Sequence, residues 1–429
     1  MIDAARIQSV VELLDRLAHS FSEGGASADV ILRQYFQGRR YAGSKDRRAI
    51  SGLYYQIIRH WGGLLNSVGE FSSRRMVIAG LLYIQSQEET DVRNLFSGQT
   101  HGPDALSVDE EAFLEKISAT PFEDVLYPDW MEKTLEDRFG DGLADAMTSL
   151  NERAPVGVRV NFQKGTKAEV AKTLQEKEIS CTEGQWATTC LNLEDQVQLR
   201  DLPIYKNGLV EIQDEAAQLA VELADIQPGQ QVMDYCAGAG GKTLAAAAFM
   251  QNKGQIYALD VSKSRLNDLK PRAKRAGAHV IQTILLGHSA AKREKQLEEH
   301  GGRIDRLLLD VPCSGSGTWR RNPESKWRLN EDQLAEYVRT QKELLAEVWP
   351  YVKKGGRLIY MTCSLFPEEN ERQIEAFLKA APEAGLRDYK DFIRGECPQS
   401  LSRLPGTLQL APHKHGCDGF FVAILERRA

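Results

Sequence analysis

Gln231–Thr243 reads QVMDYCAGAGGKT and runs into LAAAAFM. An apolar run, a glycine-rich turn and a helical stretch in that order open a βαβ unit, with the turn free to let backbone approach a ligand. Twenty residues after Gly240, a second apolar run (QIYALD) ends in Asp260. An acid at that distance suits the hydroxyls of a ribose. The alternation continues through HVIQTIL, DRLLLDVP and RLIYMTCS, with helical stretches between. Near-continuous apolar strands separated by helices predict a doubly wound, mostly parallel sheet covered on both faces.

The turn admits several ligands. A P-loop needs G-x-x-x-x-G-K-[ST]; Gly241, Lys242 and Thr243 fit its end, but its first glycine is replaced by Cys236. The dinucleotide fingerprint G-x-G-x-x-G fits at Gly238 and Gly240 and breaks at Thr243. A bare structural turn would leave Asp260 without a purpose. S-adenosylmethionine suits the pattern, because it brings an adenosine and a methionine but no pyrophosphate. The loop Cys236, Ala237, Gly238, Ala239, Gly240, Gly241 and Lys242, with Asp260, is therefore the candidate cofactor site.

Two further strands end in cysteine. DRLLLDVPCSGSG carries Asp310 and Cys313, and RLIYMTCSLFPEEN carries Cys363. Both reach the carboxyl edge of the sheet, beside the cofactor turn. A lone buried cysteine is usually a small apolar filler; two thiols and an acid beside a methyl donor ask for chemistry. Carbon 5 of a pyrimidine is a poor nucleophile until a thiolate adds to C6, which is covalent catalysis. An acid such as Asp310 suits the N3/N4 edge of the base. Position at the sheet edge does not distinguish which thiol attacks.

Upstream, residues 1 to about 150 carry apolar positions at helical spacing, as in Ile7, Val10, Val11, Leu14 and Leu17. A small α+β module follows, with PVGVRVNF as a strand and KAEVAKTLQEKE as a helix. The division expected is 1–125, an all-helical domain; 126–228, a helical linker and α+β module; and 229–429, the catalytic domain. LQLAP and GFFVAILERR read as a closing hairpin.

DVPCSGSGTWRRNPESKW, YMTCSLFPEEN and CAGAGGKT together resemble the RNA cytosine-5 methyltransferase family, and in particular its bacterial ribosomal-RNA members of the Fmu/Sun (RsmB-like) type. The resemblance runs over roughly residues 125 to 429 and implies a Rossmann-like class I methyltransferase domain with a seven-stranded sheet. It implies S-adenosylmethionine as cofactor, held by Cys236–Lys242, Asp260 and Asp310. It assigns attack to Cys363, product release to Cys313 and base contact to Asp310. The helical N-terminus resembles a NusB-like RNA-binding domain. Two departures stand out: Ala239 occupies a place usually held by proline, and TILLGHSAAKRE lacks the acid often found near the adenine.

The partner expected is RNA, ribosomal by the resemblance, with transfer RNA or a non-catalytic RNA-binding role as alternatives. A net charge of −6 argues against indiscriminate nucleic-acid coating but leaves room for a local basic face. Arg39, Arg40, Lys45, Arg47 and Arg48 form one such run, with aromatics interleaved. Arg320, Arg321 and Lys326, in WRRNPESKWR just past Cys313, form another. His413, His415 and Cys417 would share one face of an extended strand, but lack a fourth ligand, so no metal site is expected. No apolar run approaches a membrane span, and seven sparse cysteines without an export signal suggest reduced thiols in the cytoplasm; a monomer is expected.

Overall fold

The computed structural model describes residues 1–194 and 197–428. By its contacts the chain divides into two compact units. The first comprises Met1–Glu136, Met147–Glu152 and Trp319–Asn330; the second comprises Asp137–Ala146, Arg153–Thr318 and Glu331–Ala429.

The first unit is helical, with helices at Asp3–Glu23, Ala28–Gln37, Ser44–Arg59, Trp61–Val68, Ser73–Ala79, Glu89–Leu95 and Val108–Ser118. The periodic residues Ile7, Val10, Val11, Leu14 and Leu17 all face its core, against Tyr54, Ile57, Leu64 and Leu114. Such helices gain most of their stability from burying that stripe, not from propensity. Trp319–Asn330 belongs to this unit, although the sequence reading kept it within a catalytic domain of residues 229–429. Glu324 accepts from the Ala28 amide at 3.1 Å. Arg59 donates to the Arg320 carbonyl at 2.7 Å, and Arg328 to that of Gly25 at 2.7 Å.

The second unit begins with a four-stranded antiparallel sheet of β1 (Val156–Val160), β2 (Cys181–Glu183), β3 (Cys190–Leu193) and β4 (Val210–Ile212), in the order β2-β3-β1-β4. The main sheet holds β5 (Gln231–Asp234), β6 (Gln255–Asp260), β7 (Ile281–Leu285), β8 (Ile304–Asp310), β9 (Val352–Thr362), β10 (Ala384–Arg387), β11 (Leu408–Leu410) and β12 (Phe420–Arg427). Its path is β10-β12-β9-β8-β5-β6-β7, with β11 paired to β12. Strands β5 to β9 run parallel, while β10, β11 and β12 add antiparallel pairs. The expected hairpin is present, with Leu408 opposite Val422. β10 brings the sheet to eight strands, where seven were expected.

Strand order reverses at β5, which pairs with β8 on one side and β6 on the other. Ligands of doubly wound sheets bind beyond the carboxyl ends at such a point. Asp310 lies opposite Met361 across β8 and β9, so the residues that follow each strand enter the same crevice.

Candidate active site

After Asp234 the chain turns through Gly238 (φ +55°) and Gly240 (φ +84°). A β-carbon at Gly240 would lie 2.0 Å from Leu269, so this turn requires glycine there. The helix Gly241–Phe249 opens directly from it. Asp260, buried at the end of β6, accepts from the Gly238 amide at 2.9 Å and the Ser262 amide at 2.7 Å. A carboxylate has about four acceptor positions, which leaves capacity for a ribose hydroxyl.

Asp234 was not singled out from the sequence. One of its oxygens accepts from the Thr243 hydroxyl at 2.6 Å, and the other is buried without a hydrogen-bond partner. Burial pushes this carboxyl up to about 6. An unpaired buried carboxylate oxygen under a glycine turn suits a cationic ligand. S-adenosylmethionine carries both an ammonium and a sulfonium, so the residues present fit it.

The loop is also gripped from behind. Arg159 of β1, buried and opposite Glu211 across the sheet, donates to the Gly241 carbonyl at 2.7 Å. Arg272 donates to the Ala239 carbonyl at 2.6 Å and pairs with Glu211 at 3.0 Å. These two arginines fix the carbonyls of a turn that carries Ala239 in place of proline. Beyond β7, where an acid was missing, Gln296 accepts from the Gly287 amide at 2.8 Å, and Arg293 donates to the His288 carbonyl at 3.2 Å.

The two thiols meet. Cys313 Sγ and Cys363 Sγ are 3.4 Å apart, and both residues are half-buried. The hydrogen bond to Cys363, then burial and the nearby Glu369 carboxyl, hold the Cys313 thiol well above its ordinary value. The direction favours the thiol form of Cys313. Lys242 donates to Asp310 at 2.6 Å, and its ammonium lies 5.2 Å from the Phe420 ring. Burial opposes the charge on Lys242, but Asp310 outweighs it and holds the ammonium above its ordinary value. Cys236, in the glycine-rich turn, has its thiol pushed up by burial. The crevice thus gathers the glycine turn, two thiols and a lysine–carboxylate pair.

The candidate RNA residues fare unevenly. In the helical unit, Arg40, Lys45 and Arg48 are exposed. Arg39 stacks on Tyr35 at 3.7 Å and pairs with Glu12 at 2.6 Å; Arg47 lies over Phe36. Arg33, Phe36, Gln37, Arg40 and Arg47 line an open cavity of about 680 Å³. The second run differs from expectation. Lys326 is fully buried near the rings of Trp319 (5.7 Å) and Trp327 (5.2 Å), and burial lowers its ammonium to about 7. Arg320 is buried and Arg321 half-buried. The segment carries two tryptophans that pack inward, and they take Lys326 with them, so it cannot reach a phosphate. His413 and His415 sit in a helical turn rather than an extended strand, and both ring nitrogens of His415 bond to backbone.

A parallel sheet with a glycine turn after its first strand, an acid after its second and antiparallel strands closing one edge is the fold of a class I methyltransferase. The solved structure of PH0851 shares it, with a TM-score of 0.79 and 28% identity over 99% of both chains. Residues 221–426 match the model of the 16S rRNA methyltransferase RsmB/F, and residues 127–200 match the RsmF/B-like ferredoxin-like domain. The chain is 35% identical over 321 residues to a probable ribosomal RNA small subunit methyltransferase B of Synechocystis, covering 73% of this chain and 69% of that one. It is 33% identical over 302 residues to ribosomal RNA small subunit methyltransferase B of Vibrio cholerae, covering 70% of this chain and 65% of that one. The match thus spans just under two thirds of the Vibrio protein's length. The chain belongs to the RsmB/F methyltransferase family.

Proposed function

We propose that this chain methylates carbon 5 of a cytosine in 16S ribosomal RNA, using S-adenosylmethionine and a covalent bond between Cys363 and C6 of the base. The observation that carries this reading is the thiol pair, 3.4 Å apart, at the sheet edge that also holds the Lys242–Asp310 pair.

The Cys363 sulfur adds to C6, forming an S–C bond and moving the ring's π pair to C5. S-adenosylmethionine, when bound, supplies the electrophilic methyl group that C5 takes. The C5–H bond breaks, its electron pair returns to the C5–C6 bond and expels the Cys363 sulfur, which takes the Cys313 proton, and the Cys313 thiolate so formed accepts the C5 proton. Asp310 meets the N3/N4 edge of the base, with Lys242 fixing the orientation of its carboxylate. Cys313, held as a thiol beside Cys363, provides the proton that accompanies product release. The cytosine must be unstacked or single-stranded to enter such a crevice. Arg40, Lys45 and Arg48, with Arg39 and Arg47 behind them, supply phosphate contacts.

Incubation with methyl-labelled cofactor and unmodified 16S RNA, followed by bisulfite mapping, tests this reading. Label at a single cytosine supports it. Label on transfer RNA alone, or RNA binding without transfer, rejects it.

A further inference from the structure

Glu369 and Asn370 follow the second thiol in LFPEEN, and both are fully buried. Acids after a proline would normally face water. Here each side chain is fastened to the neighbours of a cysteine. Glu369 accepts from the Ser314 amide at 2.8 Å, and also from the hydroxyls of Ser314 and Ser364. It takes a further hydrogen bond from Gln341 at 2.9 Å, and Gln341 donates in turn to the Pro312 carbonyl at 3.0 Å. The residues before and after Cys313 are therefore both held.

Asn370 does the same for the other thiol. Its side-chain oxygen accepts from the Thr362 hydroxyl at 2.5 Å, and its amide donates to the Ser364 carbonyl at 2.9 Å. The loops are joined once more by Gly317 N to Cys363 O at 2.9 Å and Leu365 N to Ser316 Oγ at 2.8 Å. Among the described residues, the four donors to the Glu369 carboxyl are neutral. A buried carboxyl without a cation is costly, and burial accordingly raises its titration above the ordinary range.

We infer that Glu369 and Asn370 are positioning residues: together they clamp the two cysteine loops and set the separation of Cys313 and Cys363. The inference rests on the two-thiol reading above and adds residues to it. Neither side chain needs to touch RNA or cofactor. Their work is done through the backbone and hydroxyls on either side of each sulfur.

The test reads thiol geometry without using RNA. Phenylarsine oxide condenses with two adjacent thiols to give one arsenic bonded to both sulfurs, with release of water and no change in oxidation state. Full-length protein should bind it across Cys313 and Cys363, and Cys313→Ala or Cys363→Ala should lose this bidentate binding. Glu369→Ala should weaken it about tenfold, because the second thiol no longer sits at high effective concentration. The same variant should lose about a hundredfold in methylation kcat, the scale of an ångström misplacement, with KM for RNA and cofactor unchanged. Glu369→Gln, which keeps an acceptor of the same shape, should restore most of both.

A folded Glu369→Ala protein that binds the arsenical and methylates like the parent overturns the inference. If that variant does not fold, the Ser314→Ala/Ser364→Ala double variant removes the hydroxyl bonds instead. It should weaken arsenical binding about fivefold through the same lost proximity, and unchanged binding overturns the clamp. If the parent chelates the arsenical and the variants lose it, yet no RNA is methylated, the clamp stands and the proposed reaction falls.

Discussion

Lys242 and Asp310 form a 2.6 Å ion pair that ties the glycine-rich turn to the strand end presenting Cys313. One residue stands in the candidate cofactor site and the other at the place proposed for the base. Asp310→Asn should leave Lys242 buried without its counter-charge, at a cost of about 1–3 kcal/mol in stability. It should also lower kcat about a hundredfold through lost orientation of the base. Thermal melts and steady-state methylation check both, and a variant with normal kcat removes Asp310 from the base site.

Asp260→Ala should weaken S-adenosylmethionine binding by about 1.5–3 kcal/mol, the scale of hydrogen bonds to a charged group. The loss includes the bond from Gly238, which the same carboxylate holds at 2.9 Å. Calorimetry on the folded variant checks this; unchanged affinity removes Asp260 from the site.

Asp234 gives a pH dependence. Its folded-state value, about 6, lies above the ordinary aspartate value of 3.8. The native state therefore favours the neutral acid. That stabilisation is complete below the unfolded value and is lost as pH rises through about 6. Asp234→Asn should therefore raise the stability of the ligand-free protein at pH 8, by up to about 3 kcal/mol, and change it little near pH 4. The same variant should bind the cationic cofactor more weakly. Denaturant titrations at both pH values, with cofactor calorimetry, check this pair of outcomes.

Lys326→Met should stabilise the protein at pH 7 by about 1–3 kcal/mol, because it removes a buried ammonium without a hydrogen-bond partner. The penalty grows as pH falls from the ordinary lysine value through about 7. RNA affinity and its salt slope should not change. Arg40→Glu, at an exposed position, should weaken RNA binding and make the slope shallower by about 1. Filter binding across salt concentrations separates the two.

The parts of the fold that could be read in advance were those that bury uninterrupted apolar runs. IQTIL and RLLLD announce themselves as strands, and Cys363 follows from where such a run must end. β10 (AGLR) was missed because a four-residue strand on the antiparallel edge has neither an apolar run nor a clear alternation. Local patterning also misjudged polar residues whose burial is decided by distant partners. Lys326 read as a surface cation until the tryptophans on either side were seen to pack inward. Glu369 and Asn370 were not singled out, because their partners lie as far away as Ser314. Arg159 did leave a trace, as a charge within the apolar strand VGVRV, but Gly241, which it holds, is 82 residues away.

The division of labour between the two thiols is the central claim, and trapping the protein–RNA adduct tests it most directly. Each cysteine is replaced by alanine, and the protein is incubated with cofactor and 16S RNA and run on a denaturing gel. Cys363→Ala should neither methylate nor form an adduct, because nothing adds to C6. Cys313→Ala should attack and methylate, then stall before elimination and accumulate a covalent complex that survives denaturation. An adduct in Cys363→Ala and none in Cys313→Ala would reverse the roles, and intact methylation in both would contradict covalent catalysis by either thiol.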